Sequence, residues 1–161
     1  MKPVSMKTST VDEFAAVLDG SYFGNKFNIT QAYGYVKYAA TMWTLAMARK
    51  YPDIKFVVMS PGNTGGTNAP DNLTPTMKFM VKYLMMPIVF PLMGGMVHKL
   101  EVGAKRFVDG ISDERYISGV FYASREGKLT GEVVDQSTFF ADLKNTTFQD
   151  NAVKAIHRFI K

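Results

Sequence analysis

Tyr33 and Lys37 stand four residues apart in the segment Tyr33-Gly34-Tyr35-Val36-Lys37. On a helix that spacing sets one side chain above the other on the same face. An ammonium beside a phenol favours the phenolate, so Lys37 is expected to lower the Tyr33 pKa from about 10 towards neutrality. A tyrosine tuned in this way passes a proton to or from a carbonyl or alcohol oxygen. In isolation the same pair also reads as a core aromatic beside a surface lysine, so the surrounding elements have to carry the assignment.

Other chemistries are excluded or disfavoured by composition. The chain has no cysteine, which removes disulfides, thiolate zinc sites and thiol nucleophiles. Histidine occurs only at His98 and His157, too sparse for a histidine-rich metal centre. Nineteen Lys and Arg face 14 Asp and Glu, a net charge of +5, yet no window concentrates the basic residues as a nucleic-acid groove would. The 161 residues are 47% hydrophobic and 20% charged, the balance of one globular domain with a real core. Mean hydropathy is −0.05. The first residues, MKPVSMKTSTVDEF, contain no apolar segment of the kind a signal peptide needs. With the missing cysteines, this gives a cytoplasmic expectation.

The elements that must position Tyr33 follow from periodicity. Val11 to Leu18 predicts a short helix ended by Asp19-Gly20. From Ala32 to Lys50 there is no proline, and two apolar rows recur at helical spacing: Tyr33, Val36, Ala40, Trp43 and Met47, and Tyr35, Ala39, Met42 and Ala46. A helix with two such rows is expected to be covered on most of its circumference. Ile54 to Met59 predicts a buried strand. Ser60-Pro61-Gly62 ends it in the loop SPGNTGGTNAP, at the strand's carboxyl end, where open α/β sheets place ligands. Residues 84–97 form an almost uncharged apolar run of 14 residues broken by Pro87, Pro91 and Gly94-Gly95. Crossing a bilayer takes about 20 residues, so this run reads as buried helices, as a hydrophobic substrate lid (the reading preferred here), or as a membrane-touching patch. His98 to Asp109 predicts an amphipathic helix with Leu100, Ala104, Phe107 and Val108 inward. Tyr116 to Ala123 predicts a second strand, in parallel crossover with the first. A helix from about Thr147 closes the chain, with Phe148, Ala152, Ile156 and Phe159 along one side.

In this order, AYGYVKYAATMWTLAMARKYPDIKFVVMSPGNTGGT and the later EVGAKRFVDGISDERYISGVFYA resemble the active-site helix, next strand, P-G loop, following helix and last strand of the short-chain dehydrogenase/reductase family. The look is closest to its retinol dehydrogenase and protochlorophyllide reductase branch, and covers about residues 30–125. The resemblance implies an α/β fold: the C-terminal part of a doubly wound, Rossmann-like parallel sheet. Residues 1–30 would be a variable entry segment, 31–125 the active-site portion, and 126–161 a tail with a helix. It implies that Tyr33 is the acid/base residue and that Lys37 lowers its pKa and holds the nicotinamide ribose. Pro61 and Gly62 would floor the nicotinamide pocket of NAD or NADP. A loop threonine would bond the carboxamide; the family's usual place is Gly66 here, which leaves Thr64 and Thr67. The family's substrate-polarising serine is assigned to Ser5, ahead of Ser9 and Ser21.

The family's Gly-rich dinucleotide turn should lie far upstream of the tyrosine. Only 32 residues precede Tyr33, and none reads as strand, G-x-G and helix. The expectation is therefore the second half of an oxidoreductase for a hydrophobic small-molecule substrate, inactive alone. Its dinucleotide-binding half would be missing and supplied by a separate N-terminal half, or the chain would associate as a homo-oligomer through the open edge of its first strand. The competing expectation is a non-catalytic binding or dimerisation module.

Overall fold

The computed structural model describes residues 6–65, 74–89 and 97–160. Helix α1 spans Val11–Asp19, with Thr10 as its cap accepting from the Glu13 N–H at 3.3 Å and with Asp12 and Glu13 in its first turn. Both features answer the unpaired N–H groups and positive end of a helix. Gly20, at φ 86°, supplies the left-handed residue that ends it. A short 3-10 segment, Ser21–Lys26, leads to helix α2, Ile29–Lys50, capped by Asn28 on the Gln31 N–H at 3.0 Å. Strand β1 is Val57–Met59, α3 is Pro75–Met80 and winds on as a π-type turn over Val81–Val89, and α4 is Leu100–Ser112. Strands β2, Val120–Ser124, and β3, Val133–Asp135, precede α5, Thr146–His157.

The sheet order is β1-β2-β3. β1 runs parallel to β2 with Val57 beside Val120, as the two sequence segments predict. β2 is antiparallel to β3, with Tyr122 beside Asp135. The fold is thus mixed α/β with a small mixed sheet, and the expected tail contains a strand as well as a helix. Gln136 pins this third strand: its side-chain amide donates to the carbonyls of Ala123, Ser124 and Val134 at 3.1–3.2 Å. Among the described residues β1 has a strand neighbour on one side only.

Helices cover both faces of the sheet because successive strand residues point opposite ways. Val58 and Phe121 pack on the main core of Phe14, Val17, Ala39, Met42, Leu45, Leu143, Ala152 and Ala155. Val57 and Met59 meet α4 at Gly110 instead. The α2–α5 contact is fastened by Arg49, whose Nε donates to Gln149 Oε1 at 2.8 Å and whose guanidinium pairs with Asp150. Lys55 Nζ donates to the Ile111 and Asp113 carbonyls at 3.2 and 3.1 Å, placing a cation at the negative end of α4.

Two expectations about faces are corrected. On α2 the row Tyr35, Ala39, Met42 and Ala46 goes inward, but Tyr33, Val36 and Ala40 of the other row are exposed. On α4 the inward residues are Gly103, Arg106 and Gly110, whereas Leu100, Ala104, Phe107 and Val108 are exposed. The closest approaches fall on glycines: a Cβ on Gly103 would overlap the Thr64 side chain, and one on Gly110 would lie 3.2 Å from Met59 Cε. The apolar face is left to solvent. Of the apolar run 84–97, the residues beyond 89 and before 97 lie outside the described residues. The described part of the run, residues 84–89, belongs to the π-type continuation of α3, with Leu84 and Ile88 exposed. Among the described residues no helix is long and apolar enough to cross a membrane.

At the end of α4, Arg115 grips Asp113 through its side chain, with Nη2 to Oδ2 at 2.6 Å, and through its backbone N–H. These bonds hold the Asp113 carboxyl down from 3.8 to about 2. A depressed carboxylate pKa means stability that is present above the unfolded value and lost as pH falls through the folded one. The turn is therefore expected to hold at pH 4 and loosen towards about pH 2. Carboxyl NMR titration checks this; a midpoint at the ordinary aspartate value would contradict it.

Candidate functional site

Tyr33 and Lys37 share one face of the first turns of α2, and Lys37 Nζ lies 5.5 Å from the Tyr33 ring centroid. The ammonium rests on the ring as a cation–π contact. Tyr33 is 59% exposed, so its hydroxyl is open to a reactant. The long, proline-free helix fixes the pair: Ala39 and Met42, one turn and more beyond, have no exposed surface at all.

The P-G loop forms a second cluster at the carboxyl end of β1. Gly62 adopts φ 74°, and a Cβ there would lie 2.8 Å from Arg106 Nη1, 2.9 Å from the Leu129 carbonyl oxygen and 3.2 Å from His98 Cε1. His98 Nε2 lies 2.6 Å from the Pro61 carbonyl and 3.1 Å from Thr64 Oγ1. A carbonyl only accepts, so His98 must carry its proton on Nε2. The Thr64 hydroxyl reaches the Pro61 and Gly62 carbonyls at 3.2 and 3.3 Å. Behind the loop, Arg106 is 6% exposed and spans three strand ends. Nη1 donates to the Ser60 carbonyl at 3.4 Å and to Ser124 Oγ at 3.1 Å, and Nη2 donates to the Gly131 carbonyl at 2.6 Å. Burial pushes its pKa down, with Tyr116 opposing. Gly103 faces the loop from α4, and a Cβ there would overlap the Thr64 hydroxyl.

Pro61, Gly62 and Thr64 are thus brought together, as are Tyr33 and Lys37. Among the described residues no hydrogen bond or ring contact joins the two groups. Ser5, Gly66 and Thr67 lie outside the described residues. Ser9 is buried at φ 49°, with its N–H donating to Glu13 Oε2 at 2.7 Å and its carbonyl accepting from Asn151 at 3.0 Å. Ser21 sits in the turn after α1, its N–H on Asp19 Oδ1 at 2.8 Å. Sequence reasoning missed Arg106, His98 and Gly103 as loop supports. A charged residue in the glycine-lined stripe of an amphipathic helix was the one available signal. Among the described residues no group of three His, Asp or Glu side chains is arranged to hold a metal ion.

The loop's dependence on glycine gives a direct test. Gly62→Ala forces a Cβ against a backbone oxygen in left-handed geometry and is expected to cost about 2–4 kcal/mol. Gly20→Ala, at a similar φ but with open space around it, is expected to cost about 1–2 kcal/mol. Urea denaturation of both variants measures the difference; equal losses would contradict the packing described.

No protein-family model matches the chain, and no curated protein matches it.

Proposed function

We propose that this chain is the nicotinamide- and substrate-side portion of an NAD(P)-dependent oxidoreductase of the short-chain dehydrogenase/reductase kind, acting on a carbonyl or alcohol, or a double bond, of a hydrophobic substrate. The observation that carries the proposal is the exposed Tyr33–Lys37 pair on a helix that runs directly into β1 and its P-G loop. The parallel pairing of β1 with β2 supports it.

The cofactor fits the chain only in part. Lys37 and Tyr33 offer exposed donors suited to ribose hydroxyls and a nicotinamide neighbour. The pyrophosphate has no comparable place among the described residues. The first turns of α1 and α4 carry Asp12, Glu13 and Glu101, which repel phosphate from helix ends that would otherwise attract it. Asn28 and Asn145 already cap α2 and α5. On this reading the pyrophosphate is held by another polypeptide segment, and activity requires that segment.

The bound cofactor supplies or takes the hydride. In carbonyl reduction, Tyr33 gives its hydroxyl proton to the substrate oxygen as the hydride reaches the carbon. In alcohol oxidation it takes that proton back. Lys37 holds the ribose and stabilises negative charge developing on the Tyr33 oxygen. The Arg106, His98 and Thr64 bonds hold the Pro61–Gly62 loop in place, and that loop would border the nicotinamide.

The test is to supply a dinucleotide-binding half, as a fused or separate chain, and to follow NADPH oxidation with a hydrophobic aldehyde. Activity that appears on assembly and is lost in Tyr33→Phe supports the proposal. A second reading, a non-catalytic binding or dimerisation module, is favoured by the exposed Tyr33 and Val36 and by the single strand neighbour of β1 among the described residues. It gives partner binding without turnover, unaffected by Tyr33→Phe.

A further inference from the structure

Several large apolar side chains of α3 and its π-type continuation are exposed. Phe79 is 67% exposed and Tyr83 57%, with Met80, Leu84 and Ile88 each above 40%. Residues four apart share a helical face, so Phe79 and Tyr83 form one row, and Met80, Leu84 and Ile88 the adjacent one. The Phe79 and Tyr83 rings lie 4.8 Å apart. A contiguous exposed surface of this kind marks an interaction site rather than ordinary scatter of apolar residues. The helix packs substantially on no other described element.

Charge identifies the partner. Lys78 and Lys82, also four apart and exposed, flank the apolar rows, and Lys82 Nζ lies 5.3 Å from the Tyr83 ring centroid. Between residues 72 and 100 the sequence contains Lys78, Lys82 and Lys99 and neither Asp nor Glu. The whole chain carries +5. Exposed aromatic and aliphatic side chains bordered by lysines, with acidic residues excluded, match the hydrocarbon boundary and negative headgroups of an anionic bilayer surface.

We propose that the exposed face of α3 and its continuation docks on a membrane surface containing anionic lipid. The helix lies in the interface rather than across the bilayer: Phe79, Tyr83, Leu84 and Ile88 enter the headgroup and acyl boundary, and Lys78 and Lys82 meet the lipid phosphates or carboxylates. This surface is independent of the oxidoreductase reading and stands if that reading fails.

The test is co-sedimentation of the full chain with phosphatidylcholine vesicles, with and without about a third phosphatidylserine. The chain is expected to sediment with the anionic vesicles and to remain in solution with the neutral ones. The double variant Lys78→Glu/Lys82→Glu is expected to lower partitioning about tenfold or more, and Phe79→Ser/Leu84→Ser by a similar factor. Val108→Ser/Ile111→Ser, which removes exposed apolar groups from α4, should change nothing. All these positions are solvent-facing, and circular dichroism checks that each variant remains folded. As a second readout, brominated lipid should quench the fluorescence of Phe79→Trp beyond the Trp43 background. The proposal is overturned if no vesicle sediments the chain, if neutral vesicles do so equally, or if the α3 variants bind like the parent. It is also overturned if these variants abolish self-association and leave vesicle binding intact, which would make the face a protein interface.

Discussion

On the proposed oxidoreductase reading, Tyr33→Phe is expected to lower turnover of the assembled enzyme by about 10²–10⁴, the usual worth of a positioned proton donor. Cofactor affinity should fall far less than turnover, because the proposal leaves the Lys37 ammonium in place as a ribose donor. The side chain is exposed, with the Lys37 ammonium over its ring. Removal of the hydroxyl therefore leaves no buried group unpaired, and stability should change by less than about 0.5 kcal/mol. Lys37→Met separates the two roles: it should raise the cofactor KM as well as lower kcat. A Tyr33→Phe enzyme with undiminished kcat on a saturating substrate would remove the residue from the chemistry.

Phe14→Ala is expected to be the most damaging single truncation for stability, at about 3–5 kcal/mol. Phe14 has no exposed surface and stacks on Tyr38 at 6.0 Å between ring centroids. It joins α1 to α2 within the core that α5 closes. For a chain of this size the loss corresponds to a Tm lower by roughly 10 °C. Scanning calorimetry checks it. A fall of only a degree or two would mean that the helical layer is not the stabilising core.

Much of this framework was legible in the sequence because its causes are local. Asp19-Gly20 ends α1 through a backbone angle at Gly20 that depends only on neighbours in the chain. Two β-branched, apolar segments separated by helical periodicity sufficed for the parallel β1–β2 pair. The Tyr33–Lys37 spacing sufficed for their shared face. What escaped is non-local. β3 is three residues long, and Gln136 holds it by bonds to β2 that no window of sequence displays. On α4 the glycines Gly103 and Gly110 take the inward positions, where Thr64 and Met59 approach closely. Arg106 and His98 become loop supports only once the ends of β1 and β2 and residue 131 meet.

The most direct test of the central claim uses the nicotinamide half of the cofactor by itself. Reduced nicotinamide mononucleotide should bind the full chain weakly, at about millimolar concentration, an affinity of about −4 kcal/mol. NADH and NADPH should bind no more tightly, since the proposal places the pyrophosphate on another segment, and Lys37→Met should abolish all three titrations. Mononucleotide binding that is absent at those concentrations, or indifferent to Lys37, would contradict the assignment of the Tyr33–Lys37 face. Micromolar binding of either dinucleotide would contradict the division of the cofactor site between this chain and another.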